Sequence, residues 1–301
     1  MLRFREPWLI IGATGMLGTD LVNSIEQLGP EIVGLDSSRL DIRSRDSVME
    51  VMQRFKPGIV FNTAGITDVD GCESSVDDAF DVNAHGPANV AAACRAVGAF
   101  LIHMSTDYVF DGRKGAPYTE SDPVNPLGIY GKSKAEGERL VREILPDDHC
   151  IMRTQWLFGL HGRNFVEAIL ERASVTDTLT VVDDQYGCPT STVDLSHAMI
   201  DLCEIGAQGT IHVTNTGVTT WHAFARRIIA LAGISGVRID AMTTEELGRA
   251  SPRPLYAVLD NSRFVELVGS PLRLWDDALK EYFARRPRLK PSPRPKSKQA
   301  P

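Results

Sequence analysis

The stretch "PWLIIGATGMLGTDLVNSIEQLG" (residues 7–29) contains an apolar run, a glycine-rich turn and a helical pattern in immediate succession. The turn has the form G-x-x-G-x-x-G, with Gly12, Gly15 and Gly18 at the fixed positions. Glycines at this spacing let the backbone turn tightly and approach a pyrophosphate, and the N-terminus of the following helix favours the anion. The stretch therefore predicts a strand-turn-helix unit that binds a dinucleotide.

The same alternation continues along the chain. Apolar runs typical of strands stand at 31–36, 58–65, 99–107 and 150–159, and helical patterns stand between them at 45–57, 79–98 and 131–144. The strand-like runs are continuously apolar, which is typical of strands buried on both faces. The order predicts an α/β fold, a Rossmann-like doubly wound parallel sheet with a smaller C-terminal α/β substrate-binding lobe.

The weakening of this alternation after residue 159 indicates how the chain is divided. We expect an NAD(P)-binding Rossmann domain over 1–155 and a mainly substrate-binding lobe over 156–284. A helix near 192–205 and a strand near 210–214 are expected to return to the first domain. Residues 285–301, rich in proline and basic residues, are expected to form a disordered tail.

Composition excludes several classes of function. Seven of the 32 basic residues lie in that tail, so the body of the chain is strongly acidic, with 39 Asp and Glu overall. An acidic body disfavours nucleic-acid binding. No run of residues is apolar enough to span a bilayer, and the N-terminus does not resemble a signal peptide, so a cytoplasmic protein is expected. The five scattered cysteines predict neither a disulfide framework nor a metal site.

Polar residues at strand ends predict where the adenosine of a dinucleotide binds. Asp36 ends the second strand, where a carboxylate can bind the ribose hydroxyls and so favours NAD. The segment 37–39, Ser-Ser-Arg, could instead accept the 2′-phosphate of NADP, so the sequence leaves NADH and NADPH open. Asp41 and Ile42 follow as candidates for the adenine, and "NTAG" (62–65) supplies small residues, Ala64 and Gly65 among them, beside the cofactor ribose.

Tyr130 and Lys134 are candidates for the chemical step. Four residues apart on a predicted helix, they share one face. A phenol is a poor acid or base at pH 7, but a neighbouring ammonium lowers the phenol pKa towards physiological pH. The polar cluster "STD" (105–107) ends the strand that precedes this helix, where a doubly wound sheet places its ligands.

These motifs resemble the extended branch of the short-chain dehydrogenase/reductase superfamily. More closely, the chain is similar to the dTDP-4-dehydrorhamnose reductase family, from about residue 8 to 283. The shared patterns are "NTAGITDVDGCE" (62–73), "STDYVFDG" (105–112), "PLGIYGKSKAEGE" (126–138), "RTQWLFG" (153–159), "NFV" (164–166), "DDQYGCPTS" (183–191), "GTIHVTNTGVTTW" (209–221), "SPRP" (251–254) and "DNSRF" (260–264).

The resemblance implies a reaction: NADPH or NADH reduces the C4 ketone of a nucleotide-linked 4-keto-6-deoxyhexose, as in the formation of dTDP-rhamnose for cell-wall polysaccharide. It implies that Tyr130 donates the proton, that Lys134 holds the nicotinamide ribose, and that Thr106 binds the carbonyl oxygen. Further cofactor contacts are implied for Met16, Leu17 and Ile66. Substrate contacts are implied for Thr67, Asp107, Tyr108, Trp156, Asn164 and Arg253.

Three alternatives remain at this stage. A sugar 4,6-dehydratase is disfavoured, since that family carries Asp-Glu after the threonine and this chain has Asp107 and Tyr108. Another sugar-nucleotide 4-ketoreductase or a 4-epimerase is harder to separate. A non-catalytic module similar to the regulatory β-subunit of methionine adenosyltransferase could retain the same residues. Some relatives form dimers through a metal held by acids, and Val193 stands where such an acid is expected, so no metal is predicted and a homodimer stays open.

Overall fold

A computed structural model describes residues 4–286 of the protein. The strands are β1 (Trp8–Ile11), β2 (Ile32–Leu35), β3 (Ile59–Asn62), β4 (Phe100–Thr106), β5 (His149–Thr154), β6 (Leu157–Phe158), β7 (Thr178–Val182), β8 (Tyr186–Gly187), β9 (Thr190–Ser191), β10 (Gly209–His212), β11 (Thr219–Thr220) and β12 (Arg238–Met242). Six of them form one sheet in the order β10-β5-β4-β3-β1-β2, and every pairing in it is parallel.

Helices connect these strands. They are α1 (Met16–Glu26), α2 (Arg45–Phe55), α3 (Val69–Ser74), α4 (Val76–Phe80), α5 (Gly86–Val97), α6 (Ile129–Ile144), α7 (Phe165–Val175), α8 (Thr192–Ile205), α9 (Trp221–Leu231), α10 (Thr244–Leu247), α11 (Ser262–Val268) and α12 (Trp275–Arg285). A π-helical turn, Asp81–His85, joins α4 to α5, and a 3₁₀ turn, Asp107–Val109, follows β4.

The main sheet is buried on both faces, as its apolar strands require. One face packs a cluster that includes Leu9, Val60 and Leu101, and the other a cluster that includes Ile10 and Ile102. Neighbouring residues of one strand therefore enter opposite cores, which is the period-two pattern of a strand. The predicted fold class, a Rossmann-like doubly wound α/β sheet, is confirmed.

A separate apolar cluster lies outside the main sheet. It joins Phe158, α7, β7, α9 and α12 around the buried Phe224. The parallel pair β7 and β12 forms its small sheet. Between these elements the chain returns to the main sheet, where α8 packs on α1 and β10 pairs with β5.

Two local features differ from the sequence prediction. The helix expected over 79–98 is interrupted by the π-helical turn, which places one extra residue in a turn of helix. Two residues assigned to the expected tail are instead ordered parts of the fold: Arg285 ends α12, and Arg286 forms an ion pair with Glu167. The rest of the predicted tail, 287–301, lies outside the described residues. Within residues 4–286, no helix has both the length and the apolar character needed to cross a bilayer.

Candidate active site

The glycine turn after β1 has the geometry of a nucleotide-binding loop. Gly12 adopts φ +84°, and a Cβ there would lie 2.9 Å from the backbone nitrogen of Ala64. A Cβ on Gly18 would lie 2.1 Å from the carbonyl oxygen of Gly12, so only glycine lets α1 begin this close to the turn. Gly15 is the N-cap, and none of the described side chains caps that end. The uncapped first turn leaves backbone N–H groups for an anion.

A cavity of about 430 Å³ opens beside this turn. It brings together most of the residues predicted to bind the cofactor: Gly12, Gly15, Asp36, Asp41, Ile42, Ala64, Gly65 and Ile66. They come from the ends of β1, β2 and β3, which meet at one edge of the parallel sheet. The cavity, the close-packed glycines and the uncapped helix fit a dinucleotide.

Met16 and Leu17 differ in which of their atoms can contact that dinucleotide. The side chain of Leu17 is buried in the core beneath the sheet, so only its backbone can face a pyrophosphate. Met16 is half-buried and lies near Gly159 and Gly162 of the loop that precedes α7. This loop therefore lies next to the start of α1, a proximity that the sequence does not reveal.

Charges of both signs border the adenosine end of the cavity. Asp36 accepts hydrogen bonds from the backbone and the hydroxyl of Ser38, at 3.0 and 2.6 Å, and these bonds lower the carboxyl pKa. The guanidinium of Arg43 pairs with Asp41 at 2.8 Å and also lines the cavity. Arg39 instead donates to the carbonyl of Gly34 at 3.0 Å. Arg43 is thus the cation that faces the site, although sequence reasoning had singled out Arg39.

The three predicted catalytic residues meet at the carboxyl end of β4. Thr106 is the last residue of that strand, and Tyr130 and Lys134 lie on successive turns of α6. All three side chains are buried. Lys134 Nζ donates to the carbonyl of Met104 at 2.5 Å, and a Cβ on Gly65 would lie 3.8 Å from the same Nζ. Lys134 therefore connects the end of β4 with the wall of the nucleotide cavity.

The phenol of Tyr130 differs from the sequence expectation in its acidity. Burial raises its pKa, and the hydrogen bond with Thr106 only partly offsets that effect. Lys134 was expected to lower the phenol pKa, but its ammonium is directed to Met104. Burial also lowers the pKa of Lys134 to about 8. Both groups hold their protons at neutral pH, as a proton donor and a cationic ribose ligand require.

Asp107 is held in a hydrogen-bonded group with Thr106 and Gln155. The Thr106 hydroxyl donates to Asp107 Oδ1 at 3.0 Å, and Gln155 Nε2 donates to Oδ2 at 3.1 Å. Gln155 in turn accepts from the backbone of Cys188 at 2.6 Å. Burial raises the pKa of Asp107 to about 7, so this carboxyl titrates near neutrality. Because the carboxyl is 2% exposed and fully engaged, it supports Thr106 and does not present itself as a substrate ligand.

Tyr108 and Arg253 lie together beside Tyr130. The rings of Tyr108 and Tyr130 meet edge to face, with 5.4 Å between centroids. The guanidinium of Arg253 lies over the Tyr108 ring at 5.9 Å and pairs with Asp70 at 3.0 Å. An arginine held beside an aromatic wall suits a phosphate-bearing ligand.

Trp156 forms an aromatic stack further from the phenol. Its ring lies 3.6 Å from that of Trp221, nearly parallel. On its other side Gly187 approaches so closely that a Cβ would lie 2.5 Å from the indole. The residue adopts φ +49°, an uncommon conformation for a side chain of this size. Such strain is maintained by the surrounding structure and is frequent at functional sites.

The remaining two predicted substrate residues have different surroundings. Asn164 is the N-cap of α7: its side chain accepts from Glu167 N at 3.2 Å and donates to the carbonyl of Gly159 at 2.8 Å. Both ends of its amide are therefore engaged in shaping the loop, which accounts for the residue without a ligand. Thr67 is exposed between β3 and α3.

Sequence reasoning missed three supporting residues. Asn83, in the π-helical turn, accepts from Ile66 N at 2.9 Å and donates to Ile66 O at 3.0 Å, so it fixes the cavity wall. Glu73 accepts from Ile129 N at 2.9 Å, where α6 begins. Glu138, one turn beyond Lys134, is fully buried. A carboxylate four residues after Lys134 was the available signal for Glu138, whereas nothing in the pattern predicts the partners of Asn83 or Glu73.

The cysteines and acids form no further centre. All five cysteines are buried. Over residues 4–286, no group of three or more His, Cys, Asp and Glu side chains is arranged to hold a metal ion.

Comparison with known proteins gives consistent relatives. Residues 7–287 match the family model described as RmlD substrate binding domain. The chain is 43% identical to the dTDP-4-dehydrorhamnose reductase of Streptomyces griseus over 284 residues, which is 93% of each chain. It is 39% identical to the dTDP-4-keto-6-deoxy-D-glucose reductase of Streptomyces niveus, over 92% of this chain and 96% of that one.

A solved structure supports the same relationship. The dTDP-4-dehydrorhamnose reductase of Bacillus anthracis, solved in complex with NADP, superposes with a TM-score of 0.89. It is 36% identical in sequence, and the match covers 93% of this chain and 99% of that one.

The parallel sheet, the glycine turn and the Thr-Tyr-Lys group define a Rossmann-fold protein of the extended short-chain dehydrogenase/reductase class. Within that class, the chain belongs to the RmlD substrate-binding domain family, matched over nearly its whole length. The resemblance predicted from the motifs is confirmed.

Proposed function

We propose that this protein uses NADPH or NADH to reduce the C4 ketone of a nucleotide-linked 4-keto-6-deoxyhexose, with dTDP-4-dehydrorhamnose as the first candidate substrate. One observation carries the proposal: the nucleotide cavity adjoins the Tyr130–Lys134 pair, since a Cβ on Gly65 in its wall would lie 3.8 Å from Lys134 Nζ. A dinucleotide in the cavity would thus extend towards the phenol. The names of the relatives supply the substrate class.

The residues divide the chemical step between them. Bound nicotinamide supplies the hydride. Tyr130 donates a proton to the oxygen at C4. Thr106 exchanges its hydrogen bond to Asp107 for one to the same oxygen as negative charge develops there. Lys134 binds the nicotinamide ribose. Arg253 binds the nucleotide diphosphate in this proposal, which its position over the Tyr108 ring supports and its ion pair with Asp70 opposes.

The surroundings of Tyr130 favour reduction over elimination. A dehydratase needs a second carboxylate directly after Asp107, and the Tyr108 ring occupies that position against Tyr130. The burial that raises the pKa of Tyr130 keeps the phenol protonated, as a proton donor must be.

The cofactor preference follows from the border of the cavity. Arg43 faces the cavity beside Ser37, where a 2′-phosphate would lie, and the Bacillus anthracis relative was solved with NADP. Asp36 opposes a phosphate there. We therefore propose that the protein accepts both cofactors and prefers NADPH.

A direct assay tests the proposal. Purified protein is mixed with dTDP-4-dehydrorhamnose and either NADPH or NADH, and the nicotinamide absorbance is followed. We expect oxidation with both cofactors and dTDP-rhamnose as the product, identified by NMR. No oxidation with either cofactor, together with tight capture of a second enzyme, would instead favour the regulatory-module alternative.

The same assay separates a second substrate. The Streptomyces niveus relative is named for a 4-keto-6-deoxy-D-glucose, so dTDP-4-keto-6-deoxy-D-glucose, the 3,5-epimer of the first substrate, is tested in parallel. A higher kcat/KM for that epimer would make it the preferred substrate, and the reaction would still be the reduction of a C4 ketone. The two-domain division, the cytoplasmic location and a homodimer stay predictions from the sequence.

A further inference from the structure

The helix that carries Tyr130 and Lys134 continues the same stripe of side chains for two more turns. Glu138 and Arg142 follow at four-residue intervals, so all four side chains lie on one face of α6. Tyr130, Lys134 and Glu138 are buried, and Glu138 has no exposed surface. The proposed reaction uses only the first two, which leaves the buried carboxylate unexplained.

Glu138 contacts three elements of the fold at once. From β4, the hydroxyl of Ser105 donates to Oε1 at 2.5 Å. From β5, Arg153 donates to both carboxylate oxygens, at 2.8 and 2.6 Å. From α6 itself, Arg142 donates to Oε2 at 2.6 Å. In every contact a donor bonds to the ionised carboxylate. These charge-assisted hydrogen bonds connect the ends of β4 and β5 to α6.

Residues at the end of β4 contact the stripe, though not in its order. Met104 O accepts from Lys134 and Ser105 donates to Glu138, each at 2.5 Å. Thr106, the next residue of the strand, faces Tyr130 and lowers the pKa of the phenol. We propose that Glu138 is a positioning residue, which fixes Ser105 and hence Thr106 and places a buried negative charge one helical turn from Lys134.

The charges around Lys134 support the second part of that role. The elements packed against α6 carry several titratable and charged groups: His103 on β4, Asp107 in the 3₁₀ turn after it, His149 and Arg153 on β5, and Cys72 on α3, while His212 lies on the adjoining strand β10 and Tyr130, Glu138 and Arg142 lie on α6 itself. Burial lowers the pKa of all three histidines, so they are neutral. Burial opposes ionisation of Glu138, but Arg153 and Arg142 outweigh it and lower the pKa to about 2.

Loss of this carboxylate would leave buried cations without their counter-charge. Burial lowers the pKa of Lys134 to about 8, and Glu138 acts in the opposite direction. Without the negative charge, Lys134 would lose its proton at a lower pH. A buried ion pair is weak evidence for stability, but removal of one partner is costly for the group left behind.

Two measurements test this proposal, and only the second of them depends on the proposed function. The first readout is the dissociation constant of NADPH, measured by fluorescence from pH 6 to 10 on the full-length protein. The second is kcat/KM and kcat with dTDP-4-dehydrorhamnose over the same range. The variants are Glu138→Gln, Glu138→Asp and the control Glu136→Gln, which alters a half-exposed carboxylate of the same helix paired with Arg139.

We expect Glu138→Gln to move the alkaline loss of NADPH affinity to lower pH by about one unit, as for removal of a nearby opposite charge. Glu138→Asp keeps the charge but is one methylene shorter. It should keep the wild-type midpoint while kcat falls about 10-fold, the cost of a misplaced donor being of order 1.4 kcal/mol. Glu136→Gln should match the wild type in both readouts.

An unchanged midpoint in Glu138→Gln would overturn the electrostatic role, and an unchanged kcat in Glu138→Asp would overturn the positional one. If Glu138→Gln does not fold, the Glu138→Asp result decides: wild-type midpoint with lowered kcat supports the proposal, and an acid-shifted midpoint contradicts it. Absence of NADPH oxidation by the wild type would refute the proposed function, while the NADPH affinity measurement would still test Glu138.

Discussion

The phenol of Tyr130 lies in a dry, aromatic environment. Its ring packs against Tyr108 and Cys72, and burial raises its pKa. A high pKa keeps the proton on the phenol but makes it a weak acid in the free chain. Transfer of that proton therefore depends on how firmly Thr106 and the substrate oxygen hold the phenol in line.

Replacement of the hydroxyl tests this role. We expect Tyr130→Phe to lower kcat by about 10²–10⁴-fold, the usual contribution of a general acid. NADPH affinity should change little, because the ring and Lys134 remain. Steady-state kinetics and fluorescence titration measure the two quantities. Tyr186→Phe, at a half-exposed tyrosine far along the chain, is the matched control; comparable turnover in both variants would rule out Tyr130 as the proton donor.

The carboxyl of Asp107 predicts a dependence of stability on pH. Burial raises its pKa from 3.8 to about 7, so the folded chain binds this proton more tightly than the unfolded chain. Its contribution to the free energy of unfolding is complete below about pH 4 and is lost as pH rises to 7, at about 1.4 kcal/mol per unit of pKa shift.

We expect the melting temperature of the wild type to fall between pH 5 and 8 more steeply than that of Asp107→Asn. Calorimetry at matched ionic strength measures both slopes. Asp148→Asn, which alters an exposed carboxylate, should keep the wild-type slope. Parallel slopes in Asp107→Asn and the wild type would show that Asp107 does not titrate in this range.

At the level of elements, the contact between α1 and the glycine turn decides whether the nucleotide loop forms. A Cβ on Gly18 would lie 2.1 Å from Gly12 O, a backbone atom that cannot rotate away. We expect Gly18→Ala to push the helix from the turn and weaken NADPH binding at least about 10-fold, or 1.4 kcal/mol. Calorimetric titration measures the affinity.

The matched control for that change is Asn23→Ala, an exposed position on the same helix. Alanine favours a helix at both positions, so intrinsic helix preference cannot explain a difference between them. Retention of full NADPH affinity by Gly18→Ala would show that the close approach to Gly12 is not needed for binding.

The elements that the sequence predicts well are those whose signals are local. The apolar run of β1, the glycine turn and the four-residue spacing of Tyr130 and Lys134 lie within a few residues of one another, and the structure places them as expected. The helix predicted near 192–205 is α8, which has those bounds.

The features that were missed depend on partners distant in the sequence. Glu138 pairs with Arg153 across two elements, and Asn83 fixes Ile66 from a π-helical turn that no periodicity marks. Asn164 caps α7, a contact that the sequence does not predict, while its proposed contact with the substrate stays a prediction. These roles depend on contacts between residues that are distant in the sequence. A motif of neighbouring residues carries no information about such contacts.

At the scale of the whole molecule, the last described helix is joined to the apolar cluster outside the main sheet. α12 packs into the cluster around Phe224, and Arg286 then pairs with Glu167 at 2.6 Å through both nitrogens. Glu167 lies in the first turn of α7, and Tyr282 also donates to it. The loop before α7 lies near the glycine turn, so this ion pair helps to fix an element that borders the nucleotide site.

Two truncations separate this ion pair from the residues that follow it. A chain ending at Arg286 keeps every contact described above, and we expect its urea midpoint and its NADPH affinity to match those of the full chain. A chain ending at Arg285 loses only Arg286 from the described residues and leaves Glu167 half-buried without its cation. Its free energy of unfolding should fall by about 1–3 kcal/mol, as for a charged hydrogen bond left unpaired.

Equal stability of the two truncated chains would show that Arg286 does not stabilise the cluster around Phe224. A loss of stability already in the longer one would mean that residues 287–301 contribute to it.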